Sequence, residues 1–215
     1  MTNPLPTALD PRDPRAIRLL SYYRAAELRG ATLLLRMLAH EDDPQACANL
    51  TRHIADESRH AWLITKRIAD AGATPEIVDD GYQARMARAA GVPRSMLDLY
   101  AITVVAEERA RARYVAHLKS GLADGETAEL LKSLTRDEAW HLSWVGHHLE
   151  TLASREGEQR VEAALQRYRE ADSEVAADLA VLERELFGFS LWDLASAVSD
   201  PSQVEYRAGS DDHRA

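Results

Sequence analysis

Two short stretches of nearly the same sequence constrain this chain more than anything else in it. Asp56-Glu57-Ser58-Arg59-His60 and Asp137-Glu138-Ala139-Trp140-His141 both read D-E-x-x-H, and each lies inside a long segment of helical periodicity. Residues three apart share a helical face, so each Glu and its His point the same way. Each stretch also has a Glu upstream. Glu27 lies 30 residues before Glu57, while Glu107 and Glu108 lie 31 and 30 before Glu138. An offset of 81 carries Glu57 onto Glu138 and His60 onto His141. Two copies are too few for a solenoid; they suit a pseudo-symmetric pair of helical hairpins meeting over a shared site.

The spacing of apolar residues predicts an all-α chain. A first helix is expected from about Asp13 or Pro14 to His40, with Ile17, Leu20, Tyr23, Glu27, Leu34 and Met37 on one stripe. Glu41-Asp42-Asp43-Pro44 breaks it, and a second helix follows to Ala71, with Gly72 suited to its C-terminal cap. Residues 73–93 form a connection longer than antiparallel neighbours need, with a short amphipathic piece inside it. Helices are then expected over about 94–120, 126–154 and 157–187, and a short one over 190–198. Residues 1–14, with four prolines, read as a flexible lead-in and 200–215 as a polar tail. The domain proper is therefore 15–199, with a bundle over 15–154 and extra helices over 157–199.

Composition narrows the classes. With 215 residues, 46% apolar and 28% charged, the chain suits one domain with a substantial core. No apolar run approaches the roughly 18 residues of a membrane span, and the opening Met-Thr-Asn-Pro-Leu-Pro lacks the blocks of a signal peptide. A single cysteine, Cys47, excludes an internal disulfide and a thiolate metal site within the chain. These features predict a cytoplasmic protein. A net charge of −9 argues against broad nucleic-acid binding, although Arg85, Arg88, Arg94, Arg109, Arg111 and Arg113 form a local basic cluster.

Glu27, Glu57, Glu107 and Glu138 each sit among Leu, Ile, Val, Ala or Tyr three and four residues away. A carboxylate there is costly unless its charge is compensated. Four such carboxylates with two His one turn on point to a dinuclear metal site, and the oxygen and imidazole ligands suit iron or manganese. Zinc fits less well, because the set exceeds its usual four ligands.

The pattern E-x28-D-E-x-R-H followed by E-x29-D-E-x-x-H resembles the ferritin-like di-iron carboxylate proteins. This superfamily includes bacterioferritin, the ribonucleotide reductase small subunit, multicomponent monooxygenases, aldehyde-deformylating oxygenase and the tRNA hydroxylase of the 2-methylthio-isopentenyl-adenosine pathway. The resemblance covers about residues 17–150. It implies a four-helix bundle with a long crossover between its second and third helices. It also implies two Fe ions (Mn as the alternative), bridging roles for Glu57 and Glu138, one metal each for His60 and His141, and terminal roles for Glu27 and Glu107. The repeat offset favours Glu108 over Glu107, whereas Glu107-x-Arg109 with Arg113-Tyr114 resembles the tRNA hydroxylases and favours Glu107. Asp56 and Asp137 would hydrogen-bond the outer nitrogens of the ligand His residues. Tyr23 and His53, each one turn before a Glu, are expected just behind the ligands, with His53 also open as a ligand. His117, His147 and His148 are expected near the bundle end or the surface. Gly30, Ala31, Ala61 and Ala110 either leave room for a substrate or let helices pack closely.

The function so implied is an O2-activating non-haem di-iron oxidoreductase of the monooxygenase or oxidase type. It would use O2, an external electron donor and a small organic substrate. The alternatives are an iron-handling ferroxidase, storage protein or peroxide scavenger, and a tRNA hydroxylase-like enzyme. Oligomeric state is open, a dimer included.

Overall fold

The computed structural model describes residues 8–198. Among them the secondary structure is helical, with seven helices and no strand. They are α1 (Pro14–Leu38), α2 (Pro44–Asp70), α3 (Tyr82–Ala89), α4 (Met96–Ser120), α5 (Gly125–Glu156), α6 (Glu158–Phe187) and α7 (Leu191–Val198). No described helix is long and apolar enough to cross a membrane.

The helix ends follow from local chemistry. α1 and α2 both begin at Asp-Pro. Asp13 accepts from the Arg15 amide and Asp43 from the Ala46 amide, each at 2.8 Å, while Pro14 and Pro44 occupy a first-turn position where no N–H is needed. α4 and α5 are capped in the same way by Ser95 and Asp124. At the turn between them Gly121 adopts φ 73°, a left-handed conformation that ends α4 and reverses the chain within a few residues.

α1 packs along α2, and α4 along α5, as two hairpins, and α2 and α5 meet between them. The connection 71–81 and the short α3 join the hairpins. α6 and α7 pack on α4, and α6 also covers α3 and α5. The C-terminal helices are thus part of the main core. Val161, Tyr168, Val175, Leu179 and Trp192 are buried in one cluster with Leu34, Tyr100, Val104 and Val145. A second cluster (Ile17, Leu20, Tyr23, Ile64, Ile68, Tyr114, Leu131, Leu134) fills the other end of the paired hairpins.

Half of the expected flexible lead-in, residues 1–7, and the tail 200–215 lie outside the described residues. The part of the lead-in that is described is packed rather than loose. Leu9 is buried with Leu19, Leu122 and Leu191, and its amide donates to the Leu122 carbonyl at 2.9 Å.

The expected basic cluster does not form a basic face. Arg109 and Arg113 are buried on α4 and form ion pairs, both at 2.6 Å, with Asp172 and Glu183 of α6. Arg85 and Arg88 are both held by Asp80. Arg94 and Arg111 remain exposed. The α4 arginines look outward in the sequence because nothing within α4 announces the acids on α6 that receive them.

Candidate metal centre

The hairpins bring Glu27 (α1), Glu57 and His60 (α2), Glu107 (α4), and Glu138 and His141 (α5) into one buried region. Their donor atoms, with those of His53, fall into two groups of four. Glu27, Glu57, His60 and Glu138 make one; His53, Glu57, Glu107 and His141 make the other. Within each group the donor atoms lie within 4.8 Å of one another. Two ligands roughly 2.1 Å from one ion stand no more than about 4.2 Å apart, so each group is near the size one cation requires.

Glu57 belongs to both groups. Glu138 also faces both, with Oε1 at 3.6 Å from Nδ1 of His60 and Oε2 at 3.0 Å from Nδ1 of His141. The rest of the shell is close. His60 Nδ1 is 3.1 Å from Glu27 Oε2, His141 Nδ1 is 3.4 Å from Glu107 Oε2, and His53 Nε2 is 3.2 Å from Glu107 Oε1. Gly30 makes the position of Glu57 possible. A Cβ on Gly30 would stand 2.5 Å from Glu57 Oε2, so only glycine lets the shared carboxylate lie against α1.

The electrostatics show how much this arrangement needs positive charge. Burial, with Glu27 and Glu107 nearby, pushes the Glu57 carboxyl well above its usual range. Burial, with Glu107 next to it, does the same to Glu138. Burial acts in the same direction on Glu107, but His53, Glu138 and His141 outweigh it and hold that carboxyl well below the usual range. Burial disfavours the charged form of His60, yet Glu27, Glu57 and Asp137 raise it to about 9. His141 is lowered, chiefly by burial. Several buried polar atoms here have no hydrogen-bond partner, namely both ring nitrogens of His53, Glu57 Oε1, Glu138 Oε1 and His141 Nε2. Such orphans are rare in folded proteins. Two divalent cations would match the four carboxylates in charge and give ligands to the inward-facing orphans. The residues present therefore fit a two-metal site, and an oxygen- and imidazole-rich set of this size suits iron or manganese.

The histidine of each D-E-x-x-H stretch lies beside the Asp of the opposite stretch. Nδ1 of His60 faces the carboxylates and its Nε2 lies 3.2 Å from Asp137 Oδ2. His141 Nε2 lies 3.6 Å from Asp56 Oδ2. Arg59 ties the two acids together, its guanidinium 3.2 Å from Asp56 and 2.8 Å from Asp137. Sequence reasoning did not assign Arg59, although it lies inside the first D-E-x-x-H stretch.

Other placements refine the expected set. His53, expected behind the ligands or as a further ligand, has a donor atom in the second group; its ring stacks on His141 with centroids 3.6 Å apart, and Trp140 and Trp144 pack edge-on against it. Glu107 faces the site, whereas Glu108 points to α6 and pairs with Arg169 at 2.9 Å. Tyr23 does not reach the carboxylates, because its hydroxyl lies 3.2 Å from His117 Nδ1. The tyrosine that does is Tyr114, whose buried hydroxyl donates to Glu27 Oε1. The signal for Tyr114 was its position seven after Glu107, two turns on along the same face. His117 is buried rather than peripheral, while His147 is exposed and His148 half-buried. Among the small residues, Gly30 and Ala110 border a cavity and Ala31 and Ala61 are buried in helix contacts.

That cavity has a volume of about 410 Å³ and reaches Glu27, Glu57, Glu107 and Glu138. Its walls come from α1, α4 and α3, so the crossover between the hairpins closes one side of the site.

Comparison with protein-family models, with curated proteins and with solved structures finds no match to this chain. The residues and their geometry are what describe the site.

Proposed function

We propose that this chain is a ferritin-like non-haem di-iron oxidoreductase of the monooxygenase or oxidase type. It would activate O2, draw electrons from an external donor and act on a small organic substrate. Manganese is the alternative metal. The observation that carries the reading is a pair of buried His/Glu groups joined through Glu57 and opening onto a 410 Å³ cavity. When bound, two iron ions would cycle between ferrous and ferric states, giving O2 two electrons that the donor replaces.

The chain's own residues have separable tasks. Glu57 and Glu138 face both metal positions, and Glu27, His60, His53, Glu107 and His141 complete the two groups. Asp137 fixes the ring of His60, and Arg59 links Asp137 to Asp56, which lies near His141. Tyr114 fixes the rotamer of Glu27. Trp140 and Trp144 cover His53 and keep water from that side. The cavity is where a substrate would meet the site, and its apolar walls are the feature that favours an oxidoreductase over a storage subunit.

The test is iron bound per chain after anaerobic loading with Fe(II) and desalting, followed by O2 consumption in the presence of a chemical reductant. The reading expects about two irons per chain, in line with the two groups, and steady O2 uptake. Glu57→Ala should lose both ions and His53→Ala mainly one. Tens of irons per chain under aerobic loading would assign the protein to iron storage. No metal in wild type would remove the reading altogether.

A further inference from the structure

We propose that the cavity is a binding site for an amphipathic organic anion, a molecule with an apolar body and a single carboxylate. In this arrangement the body points toward the glutamates and the head stays at the mouth. The proposal rests on the di-iron reading for what happens at the cavity floor, but binding itself needs no metal.

The cavity has two ends. Its floor is buried, formed by Glu27, Glu57, Glu107 and Glu138. Its mouth is marked by lining residues that are exposed, Thr32, Arg36 and Val92. Between them the wall is built of Leu, Met, Ile and Ala side chains from α1, α3 and α4. At about 410 Å³ it sits near the lower end of ligand-sized pockets, which run from about 300 to 1,000 Å³. It therefore suits one small molecule with an apolar body.

The charges decide what kind. Among the described residues, the acidic ones lining the cavity are the four floor glutamates and the basic ones are Arg29 and Arg36. The glutamates lie on the buried floor and Arg36 at the exposed mouth, so the mouth is the basic end of the cavity with or without cations on the floor. Neither arginine has a carboxylate of the described residues within ion-pair distance. Arg29 is half-buried and donates only to the backbone carbonyls of Val78 and Asp79, which fixes its guanidinium at the edge of the crossover. This differs from Arg85, Arg88, Arg109 and Arg113, all of which are taken by acids. An arginine fork beside an apolar channel recognises a carboxylate head through charge-assisted hydrogen bonds. A neutral hydrocarbon would leave that charge unused, and a cation would be repelled at the mouth.

Calorimetric titration with octanoate, 1-octanol and octylammonium, which share one chain length and differ in head charge, tests this. It is run on metal-free and Mn(II)-loaded protein. Octanoate should bind at least about tenfold more tightly than octanol, and octylammonium least. Arg36→Gln, an exposed change that leaves the fold intact, should weaken octanoate severalfold and leave octanol unchanged. Arg36→Glu should weaken it further. Ala87→Trp on α3, checked for native helicity, should block all three by filling the channel. Equal binding of acid and alcohol, or octanoate binding indifferent to both Arg36 variants, would overturn the proposal. Octanoate binding that depends on Arg36 in a protein that takes up no metal would sink the di-iron reading and keep this one.

Discussion

Asp137 Oδ2 lies 3.2 Å from Nε2 of His60, so the acid that precedes Glu138 on α5 orients an imidazole of α2. Asp56 lies near His141 Nε2 at 3.6 Å, beyond hydrogen-bond distance, and Arg59 joins both acids. The two hairpins are thereby cross-linked at the site by polar contacts as well as by packing. A carboxylate behind a ligand His fixes its tautomer and raises its basicity, and losing it typically costs about 10–100-fold in metal affinity. Asp137→Ala should weaken metal binding by that order while helicity is retained, as read by Co(II) absorption titration with circular dichroism alongside.

Gly30 separates site geometry from stability. Gly30→Ala adds a good helix former to α1, worth up to about 1 kcal/mol in an unconstrained helix. Its Cβ would also enter the space of the Glu57 carboxylate, 2.5 Å from Oε2. The metal-free protein should therefore unfold at the same or higher urea concentration while Co(II) affinity falls at least about tenfold. Equal affinity in both proteins would show that Glu57 is not held where the structure places it.

Adjacent glutamates give a direct contrast. Glu107→Gln removes a buried carboxylate that faces His53 and His141 and should abolish binding at that group. Glu108→Gln only loosens a partly exposed pair with Arg169, an interaction worth about 1 kcal/mol or less. Metal stoichiometry in the two variants is the measurement, and the reverse outcome would reassign the α4 ligand.

His117 makes stability depend on pH. Burial, with Arg113 nearby, lowers its pKa from the usual 6.5 to about 4. Between those values the unfolded chain binds a proton that the folded chain does not, so stability rises with pH across that window. The contribution is complete above about pH 6.5 and lost by about pH 4, with a size on the order of 3 kcal/mol. Urea unfolding of wild type should steepen in pH dependence between pH 4 and 6.5, and His117→Gln should flatten that part of the curve.

Tyr114 holds Glu27 from within the core. Tyr114→Phe leaves Glu27 Oε1 without its donor in a buried site, which costs roughly 1–3 kcal/mol in the metal-free protein. If an ion on Glu27 compensates, the loss measured by urea unfolding should shrink on loading with Mn(II). A loss unchanged by metal would mean that Glu27 is not a ligand.

The sequence by itself determined the helices, their pairing and the residue types of the candidate site. Helical spacing put Glu27, Glu57 and Glu138 on apolar stripes, Asp-Pro and Gly121 marked the ends, and the 81-residue offset announced the two hairpins. Periodicity assigns a residue to a face but not to a neighbour, since an apolar stripe is wide enough to admit adjacent positions. That is why periodicity alone did not separate Glu107 from Glu108, and the docking of α4 between α1 and α6 sends one to the site and the other to Arg169. Only the tertiary structure decided that His53 turns inward onto His141, that Tyr114 and not Tyr23 reaches Glu27, and that Arg109 and Arg113 are spent on α6. It also decided that the acid of each D-E-x-x-H stretch lies beside the histidine of the other. Those choices depend on the rotation of one helix against another, which is set by how side chains of many residues fill the space between them.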